Sequence, residues 1–185
     1  MFIQTEPTPN PATLKFVPGR PVLGDGTVDY RAPTEAMQSP LAMRLFDVEG
    51  VTGVFLGADF ISVTKGDAEW QHLKPAILGA IMEHFMSGAP VVDDGADAND
   101  GHDEDFDEKD AEVVETIKEL IETRVRPAVA NDGGDIVFRG FRDGIVYLHM
   151  RGACAGCPSS TATLRGGIER LLQHFCPEVM EVRPV

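Results

Sequence analysis

Long apolar runs are missing from this chain. No stretch approaches the ~20 consecutive apolar residues that cross a bilayer as a helix, so a membrane-spanning protein is not expected. Positive charge is scarce as well. Sixteen Lys and Arg stand against thirty Asp and Glu, a formal net charge of −14. Such a balance repels a phosphate backbone instead of releasing its counterions, and it disfavours an anionic membrane surface. Neither nucleic acid nor a membrane is therefore an expected partner. Cysteine is sparse: Cys154, Cys157 and Cys176 are all there is in 185 residues, an odd number and too few for a disulfide scaffold. A reducing compartment is implied, with thiols free for metal or redox chemistry. The opening Met1-Phe2-Ile3-Gln4-Thr5-Glu6 has no basic segment followed by an apolar one, and no Arg-rich transit segment follows it. What is present is an ordinary globular composition, 43% hydrophobic and 25% charged, with room for one large or two small domains.

Charge by segment divides the chain. Residues 1–90 carry 10 acidic and 6 basic groups, and residues 111–185 carry 10 and 9. Residues 91–110 hold the remaining 10 acids against Lys109 alone, a net of −9 with little to bury. A block of that kind self-repels and cannot offset its ordering entropy, so it reads as an acidic flexible linker between two small α+β domains, 1–90 and 111–185. In the first domain short strands are expected at Phe2–Thr5 and Ala12–Val17, on either side of Pro7, Pro9 and Pro11. Ser39-Pro40 opens a helix that Gly50 ends. Val51–Leu56 and Phe60–Thr64 form a hairpin around Gly57-Ala58-Asp59. A helix from Asp67 carries Trp70, Leu73, Ile77, Leu78, Ile81, Met82 and Phe85 at helical spacing, bends at Pro75 and stops at Gly88; this stripe is core. In the second domain a helix from about Asp110 is divided by Pro127. A hairpin then joins Asp135–Phe141 to Ile145–Met150 through Asp143-Gly144. A helix capped by Ser159 or Ser160 and a strand Val179–Arg183 close an α+β sandwich.

The reactive residues converge on Cys154 and Cys157. A C-x-x-C pair can grip one metal ion or close a small disulfide ring, and spacing does not choose between them. A loop between a strand and a helix N-terminus, with Arg151 nearby, is expected to favour thiolate over thiol, which serves both chemistries equally. Ligand counting separates them. An iron-sulfur cluster or tetrahedral zinc takes about four ligands and the motif supplies two. Two copies about a two-fold axis bring four equivalent thiolates together, so the metal reading predicts metal-dependent dimerisation. Cargo held that way, at an interface and by loops, would be transferable.

The run Gly152-Ala153-Cys154-Ala155-Gly156-Cys157-Pro158-Ser159-Ser160, continuing through Thr161-Ala162-Thr163-Leu164-Arg165-Gly166-Gly167-Ile168-Glu169, resembles the signature of the NifU C-terminal domain. So do Arg126-Pro127 and Asn131-Asp132-Gly133-Gly134-Asp135-Ile136. The first domain resembles the amino-terminal domain of Nfu-type proteins through Thr5 to Pro11, Ser39-Pro40-Leu41-Ala42 and Val51-Thr52-Gly53-Val54-Phe55. The resemblance covers nearly everything except the acidic segment. It implies a scaffold or carrier, not a turnover enzyme, that assembles a 4Fe-4S cluster shared between two subunits and delivers it to apo-proteins. Cys154 and Cys157 of each subunit would be the ligands, with a 2Fe-2S form possible and zinc an adventitious substitute. Implied partners are apo iron-sulfur clients, upstream cluster-assembly proteins, and a second copy bound through the C-terminal domain when cluster is present. The amino-terminal domain would contribute client or partner contacts and hold no cluster. Mitochondrial members of the family begin with a transit peptide, whereas here the motif-bearing domain starts at Phe2, so the resemblance implies a bacterial cytoplasm, with a mitochondrial matrix the alternative for a trimmed mature form.

Other readings compete. Thiol-disulfide exchange suits C-x-x-C before a helix, but the strand order is not βαβ and no aromatic residue precedes Cys154. A structural zinc meets the same ligand shortfall. Cys176, beside Phe175 and before Pro177, reads as a small buried hydrophobe. Gly133-Gly134 reads as a turn requiring positive φ rather than an anion loop. His72, His84, His102, His149 and His174 share no ligand spacing, and His149 reads as a packed or surface strand residue.

Overall fold

The computed structural model of the chain describes residues 1–93, 104–155 and 158–185. Cys157 and the middle of the expected linker, 94–103, lie outside the described residues. The chain divides into two compact units, Met1–Asp100 and Gly101–Val185, each with helices and a sheet around its own core.

The first unit is an antiparallel sheet of β1 (Gln4–Pro7), β2 (Thr13–Val17), β3 (Val28–Tyr30), β4 (Val51–Leu56) and β5 (Ile61–Lys65), in the order β1-β2-β5-β4-β3. Helices α1 (Pro40–Phe46) and α2 (Trp70–Ser87) pack Leu41, Leu45, Leu73, Ile77 and Ile81 onto Phe16, Val54, Leu56, Ile61 and Val63. Ser39 caps α1 as its position before Pro40 suggests, accepting the Ala42 N–H at 3.1 Å. Gly88, at φ 72°, ends α2. The Trp70 indole N–H donates to the Pro11 carbonyl at 3.1 Å, tying the start of α2 to the β1–β2 connection. The first strand lies two residues beyond its expected place. Pro7 joins it, opposite Leu14 on the edge of the sheet, where its missing N–H costs no ladder bond. Helix α1 stops at Phe46, four residues short of Gly50, and α2 begins at Trp70 rather than Asp67.

The second unit is a mixed sheet, β6 (Asp105–Phe106), β7 (Gly134–Arg142), β8 (Ile145–Gly152) and β9 (Glu181–Pro184), in that order. Strands β7 and β8 form the expected hairpin; Asp143 at φ 53° and Gly144 at φ 80° give the turn whose twist matches the strands. The outer strands β6 and β9 run parallel to their neighbours. Helix α3 (Ala111–Leu120) passes through a widened π turn, Ile121–Val125, into α4 (Arg126–Asn131). Pro127 explains the widening, because its ring crowds the carbonyl four residues back and it has no N–H to return. Helix α5 (Pro158–Phe175) follows β8, with Ile168 and Leu172 buried against Ile136, Val146, Leu148 and Val182.

Both ends of the expected 91–110 linker are structured. Val91 and Val92 pack against the first core, the Ser39 hydroxyl donates to the Val91 carbonyl at 2.7 Å, and the Asp93 N–H donates to Gln38 at 2.7 Å. At the other end Asp105 and Phe106 pair with Gly140 and Phe141, and Phe106 packs on the second core. A few apolar side chains suffice to anchor these residues despite the surrounding charge.

Candidate metal centre

Three turns of backbone place Cys154. Strand β8 ends at Gly152, whose φ of 63° redirects the chain out of the sheet. The Ala153 N–H then donates to the Gly133 carbonyl at 3.2 Å, tying the loop to the turn before β7, where Gly133 stands at φ 81° as expected. The Thr161 hydroxyl donates to the Cys154 carbonyl at 2.9 Å and ties the loop to the first turn of α5. Between these anchors the Cys154 side chain turns inward and joins the core, 6% exposed.

Gly134 makes that possible. A Cβ at this position would lie 2.6 Å from Cys154 Sγ and 2.8 Å from the Arg151 carbonyl oxygen, so any larger residue would displace the loop. The next residue, Asp135, is buried and held by Arg126 at the start of α4. Arg126 Nε donates to Oδ1 and Nη2 to Oδ2, both at 2.8 Å, the paired geometry that makes such contacts strong. Arg126 Nη1 also reaches Glu122 at 2.6 Å. The hydrogen bond to Asp135, foremost, raises the guanidinium pKa further above its already high ordinary value. Across the ladder from Asp135 lies Arg151, also buried.

The protonation of Cys154 differs from the expectation of a ready thiolate. Burial, followed by the carboxylates of Asp132 and Asp135, pushes its thiol up to about 12. Inward packing denies the sulfur the solvation a thiolate needs, and this outweighs the helix terminus and Arg151. A metal cation held by Cys154 would reverse the balance, supplying the positive charge that burial withholds and displacing the proton. A soft sulfur donor on a tethered loop fits iron or zinc.

Cys176 stands apart. It directly follows α5, whose 18 residues at about 1.5 Å each separate it from the Cys154 end by about 27 Å. It is buried and cannot complete a site with Cys154. Among the described residues no group of three or more His, Cys, Asp or Glu converges on one point. His149 Nδ1 lies 3.0 Å from the Val185 carbonyl oxygen. The Arg126–Asp135 pair and the Gly134 contact carried no periodic or spacing signal. All three residues fall inside the runs that resemble NifU, but only the folded chain brings them to the thiol.

Comparison with known proteins bears on the same residues. The family described as "Scaffold protein Nfu/NifU N terminal" matches residues 3–88, and the "NifU-like domain" family matches residues 117–183. The human protein named "NFU1 iron-sulfur cluster scaffold homolog, mitochondrial" is 50% identical over 100% of this chain and 72% of its own length. The Drosophila sechellia protein of the same name is 52% identical over 100% of this chain and 65% of its own length. "NifU-like protein 4, mitochondrial" from Arabidopsis thaliana is 49% identical over 98% of the chain and 65% of its own length. The chain thus spans slightly less than two thirds of the fly and plant proteins. The expected bacterial cytoplasm finds no support among these relatives, whose names place them in mitochondria. With an amino-terminal Nfu domain followed by a NifU-like domain, matched along its whole length, the chain belongs to the Nfu family.

Proposed function

We propose that this protein is an iron-sulfur cluster scaffold: it assembles a 4Fe-4S cluster between two copies of its C-terminal unit and hands it to apo-proteins. Cys154 and Cys157 of each copy are the ligands in this reading, and the cluster is cargo. The observation that carries it is the position of Cys154, a soft donor on a loop tied at both ends, in a motif that supplies two of about four ligands and with no group of three or more candidate ligands converging on one point among the described residues. A second copy makes up the shortfall by symmetry. Relatives named as iron-sulfur cluster scaffolds support the scaffold role.

Uptake of an already formed cluster and its release are ligand exchanges in which no atom changes oxidation state. Each cysteine thiol gives up its proton as its sulfur binds iron. On delivery an acceptor's thiol loses a proton, its sulfur takes the iron site, and the vacated Cys154 or Cys157 is reprotonated. The high proton affinity of buried Cys154 favours that last step, because a returning thiol is the stable form of the empty loop. The same property weakens the competing reading as a thiol-disulfide oxidoreductase, whose attacking group must be an accessible thiolate.

Anaerobic reconstitution with iron and sulfide tests this. The expected product is a brown dimer holding half a 4Fe-4S cluster per chain, lost in Cys154→Ser. Colour and iron retained in Cys154→Ser, or a full cluster in a monomer, overturns the assignment. Metal-free reduction of insulin disulfides by the monomer favours the oxidoreductase instead.

A further inference from the structure

Arg126 and Asp135 lie outside the C-x-x-C motif, yet their geometry fits a task there. Asp135 is 3% exposed, and its two oxygens receive two N–H groups of one guanidinium. The pair joins the first residue of α4 to the second residue of β7. Immediately before Asp135 stands Gly134, the residue on which Cys154 Sγ rests. On the facing strand, Arg151 is directly across from Asp135 and three residues before Cys154. The ion pair therefore closes the one corner of the second unit where the turn before β7, the end of β8 and the thiol loop meet. The neighbouring π turn deepens the case. It shifts the helix register just before Arg126, and so sets the direction from which that side chain reaches Asp135.

We propose that Arg126 and Asp135 are positioning residues that clasp the Cys154 thiol in its inward seat while the scaffold is empty. The clasp fixes the β7 end against which the sulfur packs, and so governs how readily the thiol comes out to meet incoming iron. This inference rests on the scaffold reading for its purpose, but not for its test.

The test uses the full-length, metal-free chain carrying Cys157→Ser, so that Cys154 and Cys176 are the thiols present. Both are buried, at opposite ends of α5. Alkylation by iodoacetamide is followed at each site by peptide mass. In the parent both sites should react slowly. Arg126→Gln, which removes the more exposed partner, should speed Cys154 by about tenfold or more, as expected when a paired charged hydrogen bond is lost, and leave Cys176 unchanged. Arg126→Lys keeps the charge but not the two-point contact, and should fall between parent and Arg126→Gln.

Acceleration of Cys154 and Cys176 together would show general loosening of the unit and overturn the clasp. An unchanged Cys154 rate in a variant that melts as a folded protein would do the same. A parallel reconstitution of the chain with all its cysteines separates the two claims. If that chain takes no iron, the cargo reading fails, whereas the alkylation pattern alone decides whether the clasp exists.

Discussion

Two single positions carry more physical consequence than their side chains suggest. Gly134 has an ordinary backbone conformation, and its constraint is space. In Gly134→Ala the new methyl meets the Cys154 sulfur and the Arg151 carbonyl together, and the carbonyl cannot swing aside. We expect the second unit to lose about 1–3 kcal/mol, read by chemical denaturation, and Cys154 to become more reactive. His84 is the second. It is fully buried in α2, neither ring nitrogen has a hydrogen-bond partner among the described residues, and its ring meets Phe85 edge-on. Burial first, then Arg44 on α1, lowers its pKa below 6.5; Arg44 is in turn paired with Glu83 at 3.4 Å. The unfolded chain therefore binds the proton more readily than the folded one. Stability from this residue is complete above about pH 6.5 and is lost as pH falls from there towards the lower folded-state value. Protection factors of the α2 amides, taken relative to intrinsic exchange at each pH, should fall over that acid window in the parent and much less in His84→Leu. An equal acid response in both would assign it to other groups.

At the scale of elements, α1 shows how a cap can act on two segments at once. Ser39 accepts from Ala42 at the helix start and donates to Val91 after α2. Ser39→Ala should cost about 1–2 kcal/mol, and the amides of residues 91–93 should lose exchange protection along with α1. What was legible beforehand follows the same logic of local chemistry. The β7–β8 hairpin announces itself through Asp143-Gly144, α1 through Ser39-Pro40, and α2 through its apolar spacing and Gly88. Strands β3 and β6 were not legible. At three and two residues they are too short for a period, and β6 hides in an acidic run where charge suggests a tether. Its place depends on a tertiary fact: Gly140 has no side chain, and a Cβ there would lie 2.6 Å from the Asp105 carbonyl oxygen. The candidate site divides the same way. Cys154 and Cys157 stand out by spacing. The inward turn of the Cys154 sulfur, its raised proton affinity, and its support by Gly134, Arg126 and Asp135 arise only when β7, β8 and α4 come together.

For the whole molecule the decisive feature is that the two hydrophobic clusters share no residue: one is built from positions 3–92, the other from 106–182. Each unit buries its own apolar surface, so residues 101–185 expressed alone should unfold cooperatively and take up iron and sulfide in the same ratio per chain as the full protein. A fragment without a melting transition, or one that folds but stays colourless where the full chain does not, would assign the first unit a part in the site. The single tryptophan adds something of practical value. Trp70 belongs to the first unit, anchored by its indole N–H to Pro11, while any iron-thiolate chromophore would reside in the second. Emitter and visible absorber are thus allotted to different halves of one polypeptide. Quenching of the native indole emission on loading, in protein bearing no dye, would report whether the halves draw near each other when cargo arrives.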